Sequence, residues 1–208
     1  MSVVGIVPAG GSGERLGADR PKAFVVCAGR PLIDWSLEVL DAICDRVVVA
    51  APPGWLREGW VEGGPSRSAS VRNAVAAAPE ARTLVVHDAA RPLVTRELVE
   101  ACVGALMGVD AAIAATPVTD TVKEAYPDAT VLRTLDRSRL WAVQTPQVFR
   151  ADSLRRALDV DEAALAGATD DASLVEAVGG SVRLVEAPPG NLKVTTVEDL
   201  ARAEAALC

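Results

Sequence analysis

Short apolar runs of strand length alternate along this chain with longer stretches in which apolar residues recur every three or four positions. The runs are Val3–Val7, Arg46–Ala51, Thr83–Val86, Ala111–Ala115 and Val182–Val185. Such near-continuous apolar segments read as strands covered on both faces. Between them, Ile33, Leu37, Leu40 and Cys44 form one helical stripe, with Pro31 placed near its start. Val71, Ala74, Val75 and Ala78 form a second stripe. Leu98, Val99, Cys102 and Leu106 form a third, behind Thr95 as N-cap. A last helix opens at Thr196-Val197-Glu198-Asp199 and turns Leu200, Ala203 and Leu207 inward. The alternation predicts an α/β fold with a mainly parallel, twisted sheet flanked by helices. Ligands bind beyond the carboxyl ends of the strands in such sheets. The loops after Val7, Val86 and Ala115 are therefore where chemistry is expected.

One stretch breaks the alternation. Residues 117–140 are rich in Thr, Val and charge, with Tyr126-Pro127-Asp128 in the middle. Two extended segments joined by a turn fit this pattern and predict a β-arm projecting from the domain. No internal repeat and no splitting linker is evident, so residues 1–208 read as a single domain.

Composition narrows the picture. Half of the 208 residues are hydrophobic but only 3% are aromatic, so the core must be built of Ala, Val and Leu. The formal net charge of −7 argues against a nucleic-acid or anionic-membrane partner. A site for anions here must concentrate its few cations locally. Cys27, Cys44, Cys102 and Cys208 form no C-x-x-C and match no zinc spacing, which predicts reduced thiols. The opening Met1-Ser2-Val3-Val4 lacks a basic leader region, and no uncharged apolar run reaches the roughly 18 residues of a membrane span. A cytoplasmic location is the expectation.

The strand Val3–Val7 empties into Pro8-Ala9-Gly10-Gly11-Ser12-Gly13-Glu14-Arg15-Leu16-Gly17, followed by Pro21-Lys22. Glycines let backbone approach a ligand, and their N–H groups can cradle an anion. With Arg15 and Lys22 beside them, the loop reads as a polyphosphate site. Walker A is absent, because Lys22 lies between proline and alanine. A dinucleotide loop remains an alternative, and so does a plain tight turn, although a plain turn leaves the two cations unexplained.

His87-Asp88-Ala89-Ala90-Arg91-Pro92 follows the strand Thr83–Val86. A carboxylate at a strand's carboxyl end suits Mg²⁺ beside phosphates, and Arg91 can clamp a phosphate bidentately. The bland alternative is an Asp88–Arg91 ion pair. His87, the only histidine, is more naturally structural than catalytic. Glu62-Gly63-Gly64-Pro65-Ser66-Arg67-Ser68-Ala69-Ser70 runs a glycine turn into a helix start, where backbone amides can meet an anion or a base edge. Polar groups recur at Asp120-Thr121-Val122-Lys123, Asp136-Arg137, Gln144-Thr145-Pro146-Gln147, Thr169-Asp170-Asp171 and Asn191-Leu192-Lys193.

In this order, from Val4 to about Glu204, the motifs resemble the 2-C-methyl-D-erythritol 4-phosphate cytidylyltransferases of the non-mevalonate isoprenoid pathway. The closest confusable relatives are pentitol-phosphate cytidylyltransferases. The resemblance implies a Rossmann-like nucleotidyltransferase fold, a homodimer, and CTP and a polyol phosphate as substrates. It implies that Arg15, Lys22 and Lys193 are catalytic and that Asp88 helps hold Mg²⁺. It places Ala9, Gly10, Gly11, Gly13, Gly64, Ser70 and Ala89 around CTP. Arg91, Thr121, Arg137, Thr145, Thr169 and Lys193 fall to the acceptor phosphate, with Arg137 carried by the arm to a partner's site. One departure stands out: Pro65 occupies a position that is polar in many relatives. The other readings of the chain are an NADP-dependent oxidoreductase and a non-catalytic nucleotide-binding protein.

Overall fold

The computed structural model describes residues 2–208. In chain order it contains β1 (Val3–Pro8), β2 (Val26–Cys27), β3 (Arg30–Pro31), α1 (Leu32–Asp41), β4 (Arg46–Ala51), β5 (Val61–Glu62) and α2 (Arg67–Ala76). Next come β6 (Thr83–Val86), α3 (Arg96–Ala105), β7 (Ala111–Pro117), β8 (Lys123–Ala125), β9 (Val131–Thr134) and β10 (Trp141–Arg150). The chain ends with α4 (Ala151–Leu158), α5 (Glu162–Gly167), α6 (Asp171–Ala177), β11 (Val182–Glu186) and α7 (Val197–Leu207).

Seven strands form one sheet in the order β11-β7-β10-β6-β1-β4-β5. Its strands pair in parallel except for β10, which runs antiparallel to both β6 and β7. The inner strands β1, β4, β6 and β7 are covered on both faces, as their apolar runs require. The Val182–Val185 run is not a buried strand: β11 lies at the sheet edge with Arg183, Leu184 and Glu186 exposed. Along β1, Val4 and Ile6 pack with Val71, Ala74 and Val75 of α2 and Leu154 of α4. Val7 points the other way, into a cluster with Ile33 and Leu40 of α1 and Leu98, Val99 and Cys102 of α3. The three helical stripes read from the sequence are thus the buried faces. At the last helix Thr196 closes a capping box with Asp199, which fixes where α7 starts.

Strand β10 is not among the segments the sequence predicts. Its Gln144-Thr145-Pro146-Gln147 centre is polar and carries a proline, which argues against a central strand. The ladder with β7 shifts register between Val143 and Gln147, so the proline falls in an irregularity where no ladder bond is needed. Pairing with β6 begins at Gln147 opposite Val86. Gln144–Pro146 consequently lie just past the carboxyl end of β6, at the same end of the sheet as the loops after β1 and β6.

Within residues 117–140, β8 and β9 pair as a separate antiparallel ribbon outside the main sheet. Tyr126, Val131 and Leu132 on it are about half exposed (53%, 54% and 47%).

Candidate active site

The loop after β1 is held by backbone geometry. Gly13 has φ +77°, and a Cβ there would come within 2.8 Å of the Arg20 carbonyl. The loop therefore closes tightly only on glycine. Lys22 N–H donates to the Gly11 carbonyl (2.8 Å), which brings Lys22 back across the loop. Phe24, just beyond, stacks on Trp55 (centroids 4.5 Å apart) and lies near Trp60 (6.2 Å). In a chain so poor in aromatics, this cluster anchors the Lys22 segment. Arg15 stands exposed in a short turn, and with Gly13 and Lys22 it borders a small recess.

A cavity of about 230 Å³ opens beside this loop. Ala9, Gly10, Gly11, Lys22, Gly64, Ser70, Asp88, Ala89 and Lys193 line it, joined by Pro65 and Arg67. Gly64 is required by packing, since a Cβ there would sit 2.6 Å from that of Ala69 at the start of α2. Ser70 serves the loop more than the cavity. Its hydroxyl accepts the Gly64 N–H (3.0 Å) and donates to the Ser66 carbonyl (2.9 Å).

A second cavity, of about 460 Å³, adjoins the first. Arg91, Thr145, Thr169, Gln144 and Asp170 line it. Arg67, Asp88 and Lys193 border both cavities and form the wall between them. Asp88 Oδ1 accepts from Arg67 Nε at 2.9 Å, and Oδ2 accepts from Lys193 Nζ at 2.7 Å. Arg67 Nη1 also donates to Asp171 Oδ2 at 2.6 Å. The Asp88–Arg91 pair considered from sequence does not form. Arg91 Nη1 donates instead to the Asn191 carbonyl at 2.8 Å, and its Nε is buried without a partner. Asn191 in turn donates to Gln144 Oε1 (2.8 Å) and the Thr145 carbonyl (2.9 Å), which docks the Lys193 loop on the site.

The charges are strongly coupled. Burial alone would raise the Asp88 carboxyl, but Arg67 and Lys193 outweigh it and hold it well below the usual carboxylate range. Burial also works against the Arg67 charge, and Asp88 with Asp171 overcomes it. Lys22 shifts the other way. Half-burial and then the nearby Lys193 and Arg15 lower its affinity for a proton. Cations crowded against each other in a protein of net charge −7 are relieved by an incoming anion.

His87 faces neither cavity. It is wholly buried, with Nδ1 at 3.2 Å from Thr145 Oγ1 and Nε2 at 3.3 Å from the Arg91 carbonyl. Nε2 faces a carbonyl and so carries the proton, which leaves Nδ1 of the neutral ring to accept the Thr145 hydroxyl, while Thr145 Oγ1 accepts the Asp88 N–H (3.0 Å). Burial pushes its pKa down to about 4. The hydroxyl of Thr145 is spent in this chain of bonds rather than offered to a ligand.

Two of the residues read as acceptor-binding are not brought to either cavity. Thr121 is exposed at the base of the arm, and Arg137 donates to the Thr119 carbonyl. Conversely, the sequence reading assigned no role to Arg67 or Asp171. A signal was present for Arg67. It opens α2, where the helix dipole disfavours a cation, and a cation placed there needs carboxylates close by. Asp171 stands in the Thr169-Asp170-Asp171 group, but nothing local to that group ties it to Arg67. Among the described residues no group of three or more His, Cys, Asp or Glu gathers into a metal cage.

The family profile of 2-C-methyl-D-erythritol 4-phosphate cytidylyltransferase matches residues 3–208. A protein of that name from Nocardia farcinica is 43% identical over 220 residues, spanning 99% of this chain and 94% of its own length. One from Synechococcus sp. (strain CC9902) is 40% identical over 217 residues, spanning 97% and 96%. The crystal structure of the Thermus thermophilus enzyme of that name superposes with a TM-score of 0.84 at 38% identity, covering 99% of this chain and 98% of its own.

Proposed function

Because this chain belongs to the 2-C-methyl-D-erythritol 4-phosphate cytidylyltransferase family, we propose that its two adjoining cavities hold CTP and the acceptor phosphate on either side of the Arg67–Asp88–Lys193 wall. The activity is transfer of a cytidylyl group from CTP to 2-C-methyl-D-erythritol 4-phosphate in isoprenoid biosynthesis. The glycine loop receives the triphosphate, with Arg15 and Lys22 at its phosphates. Arg91 and Lys193 face the acceptor phosphate. That phosphate is already an anion and needs no general base. The protein's task is to align two anions and offset the charge that grows at the α-phosphorus. Neutral, fully bonded His87 is consistent with this, since nothing asks it to move a proton.

The observation that carries the reading is the shared wall. A carboxylate bracketed by two cations borders both cavities, so groups from either side meet the same charges. Mg²⁺ fits this donor set as an ion brought by the nucleotide. It is commonly held by one or two carboxylates together with substrate phosphates and water. Among the described residues, Asp88 is the one carboxylate that borders the triphosphate cavity. When bound, the ion would neutralise phosphate oxygens.

The working form in this reading is a homodimer. An isolated two-stranded ribbon is marginal in water, and this one exposes Tyr126, Val131 and Leu132. A second copy would cover those residues, and Arg137 and Thr121 would then reach the partner's acceptor cavity. A cytoplasmic location is supported by four free thiols and by the lack, among the described residues, of any helix long and apolar enough to cross a membrane. The test is pyrophosphate release from CTP, crossed against methylerythritol phosphate and ribitol phosphate. Release with the first acceptor at a much higher kcat/KM is the expected result. Equal release with ribitol phosphate, or none with either, would overturn the substrate assignment.

A further inference from the structure

Asp171 is an acid without evident employment. It is fully buried, lines neither cavity, and makes a single hydrogen bond, from Arg67 Nη1. Its other oxygen, Oδ1, is buried with no partner. A carboxylate taken out of water in this way is costly unless its one contact matters. Arg67 at the other end has five N–H donors in a rigid plane. Nε goes to Asp88 and one Nη1 proton goes to Asp171. The plane is therefore fixed at two points, Asp88 on the loop after β6 and Asp171 at the start of α6. About 30% of the side chain stays exposed, at the wall both cavities share. Lys193 is the other cation of that wall, but it is more exposed (42%) and sits on a flexible stem.

We infer that Arg67 is a further phosphate-binding residue of the reaction, presented at the seam where the two substrates meet, and that Asp171 is the positioning residue that aims it. Its remaining Nη protons would reach oxygens of the acceptor or α-phosphate as the bond between them forms. A guanidinium pinned on two carboxylates needs no reorganisation at that moment, which is where a preorganised donor has most effect. Lysine cannot substitute, because a point charge cannot span both acids and still offer a donor.

The inference rests on the cytidylyltransferase reading, so wild-type pyrophosphate release from CTP and methylerythritol phosphate is measured first, and its absence would count against that reading instead. Removing Arg67 alone would strand two buried carboxylates and endanger folding. The informative variant is Arg67→Met combined with Asp171→Asn, which removes the pair together. Thermal melting and CTP titration by calorimetry establish the folded, nucleotide-competent fraction. The expected result is a folded protein with kcat lowered about a hundredfold and KM values for both substrates within about threefold of wild type. Wild-type kcat in that folded variant would show the pair to be structural only and overturn the inference. If the double variant fails to fold, Asp171→Asn decides. It keeps shape and guanidinium, and kcat should fall about tenfold per binding-competent site with Asp171→Glu recovering part of the loss. An unchanged kcat in Asp171→Asn would overturn the inference.

Discussion

The glycine loop and the arm both carry cations assigned to substrate, but they hold them in opposite ways. Around the loop, packing and backbone bonds hold the segment in place. Gly13 admits the Arg20 carbonyl, Lys22 N–H closes on Gly11, and Phe24 seats the segment against Trp55. On the arm, Arg137 is exposed, its neighbours are exposed, and its one bond is to the Thr119 carbonyl. The backbone that carries the loop's cations is thus fixed by packing, while Arg137 is held by little beyond the Thr119 carbonyl. The contrast teaches that one chain can hold some cations in a fixed frame and leave others in the open, and the homodimer proposed above would give the exposed ones a surface.

The strongest way to break the first half is at its cations. Lys22→Ala and Arg15→Ala should each lower turnover a hundredfold or more, on the order of 3 kcal/mol of lost transition-state stabilisation, while melting like wild type. Near-normal turnover in either would remove the loop from the mechanism. Next in size, Asp88→Asn keeps the shape of the wall but loses the charge between Arg67 and Lys193. The Mg²⁺ concentration for half-maximal rate should rise about tenfold or more, with CTP binding retained. A titration superimposable on wild type would leave Asp88 only an ion-pair partner.

The arm should answer differently. Arg137→Ala should raise the acceptor KM about tenfold and leave the CTP KM nearly unchanged, because it removes a contact to one substrate only. Equal rises in both would deny the arm its separate role. The last effect is on stability rather than on turnover. The folded pKa of His87, about 4, lies below its ordinary 6.5, so between these values the unfolded chain binds a proton that the native state does not. Stability is full above pH 6.5 and falls as pH drops toward 4, by up to about 3 kcal/mol at ~1.4 kcal/mol per unit. Below the ordinary carboxylate range Asp88 adds a further loss, as its depressed carboxyl is titrated. Melting temperatures that stay level from pH 7 to pH 4 would contradict the neutral, buried ring.

Much of this was legible in the sequence for physical reasons. Val3–Val7 or Thr83–Val86 announces a buried strand because both faces are apolar, and a capping box at Thr196 needs only local residues. The glycine loop is legible because its demand for positive φ is local too. Strand β10 was not, since its polar, proline-containing centre lies in a register shift created by its neighbours. Asp171 was hidden for the same kind of reason. It meets Arg67 across 104 residues of chain, and nothing near it in sequence reveals that contact. Thr145 shows the intermediate case: its motif stood out in the sequence and it lines the second cavity, but the commitment of its hydroxyl to Asp88 and His87 was not legible there.

The central proposal, that the glycine loop of one chain works with the arm of a second copy, is tested most directly by complementation. Lys22→Ala and Arg137→Ala proteins are mixed under conditions of demonstrated subunit exchange, at an acceptor concentration where each alone is nearly inactive. The shared-site account predicts recovery to about a quarter of the wild-type rate, since half of randomly paired dimers are mixed and one of their two sites has both an intact loop and an intact arm. A mixture that stays inactive, or a wild-type protein that sediments as a monomer while fully active, would contradict it.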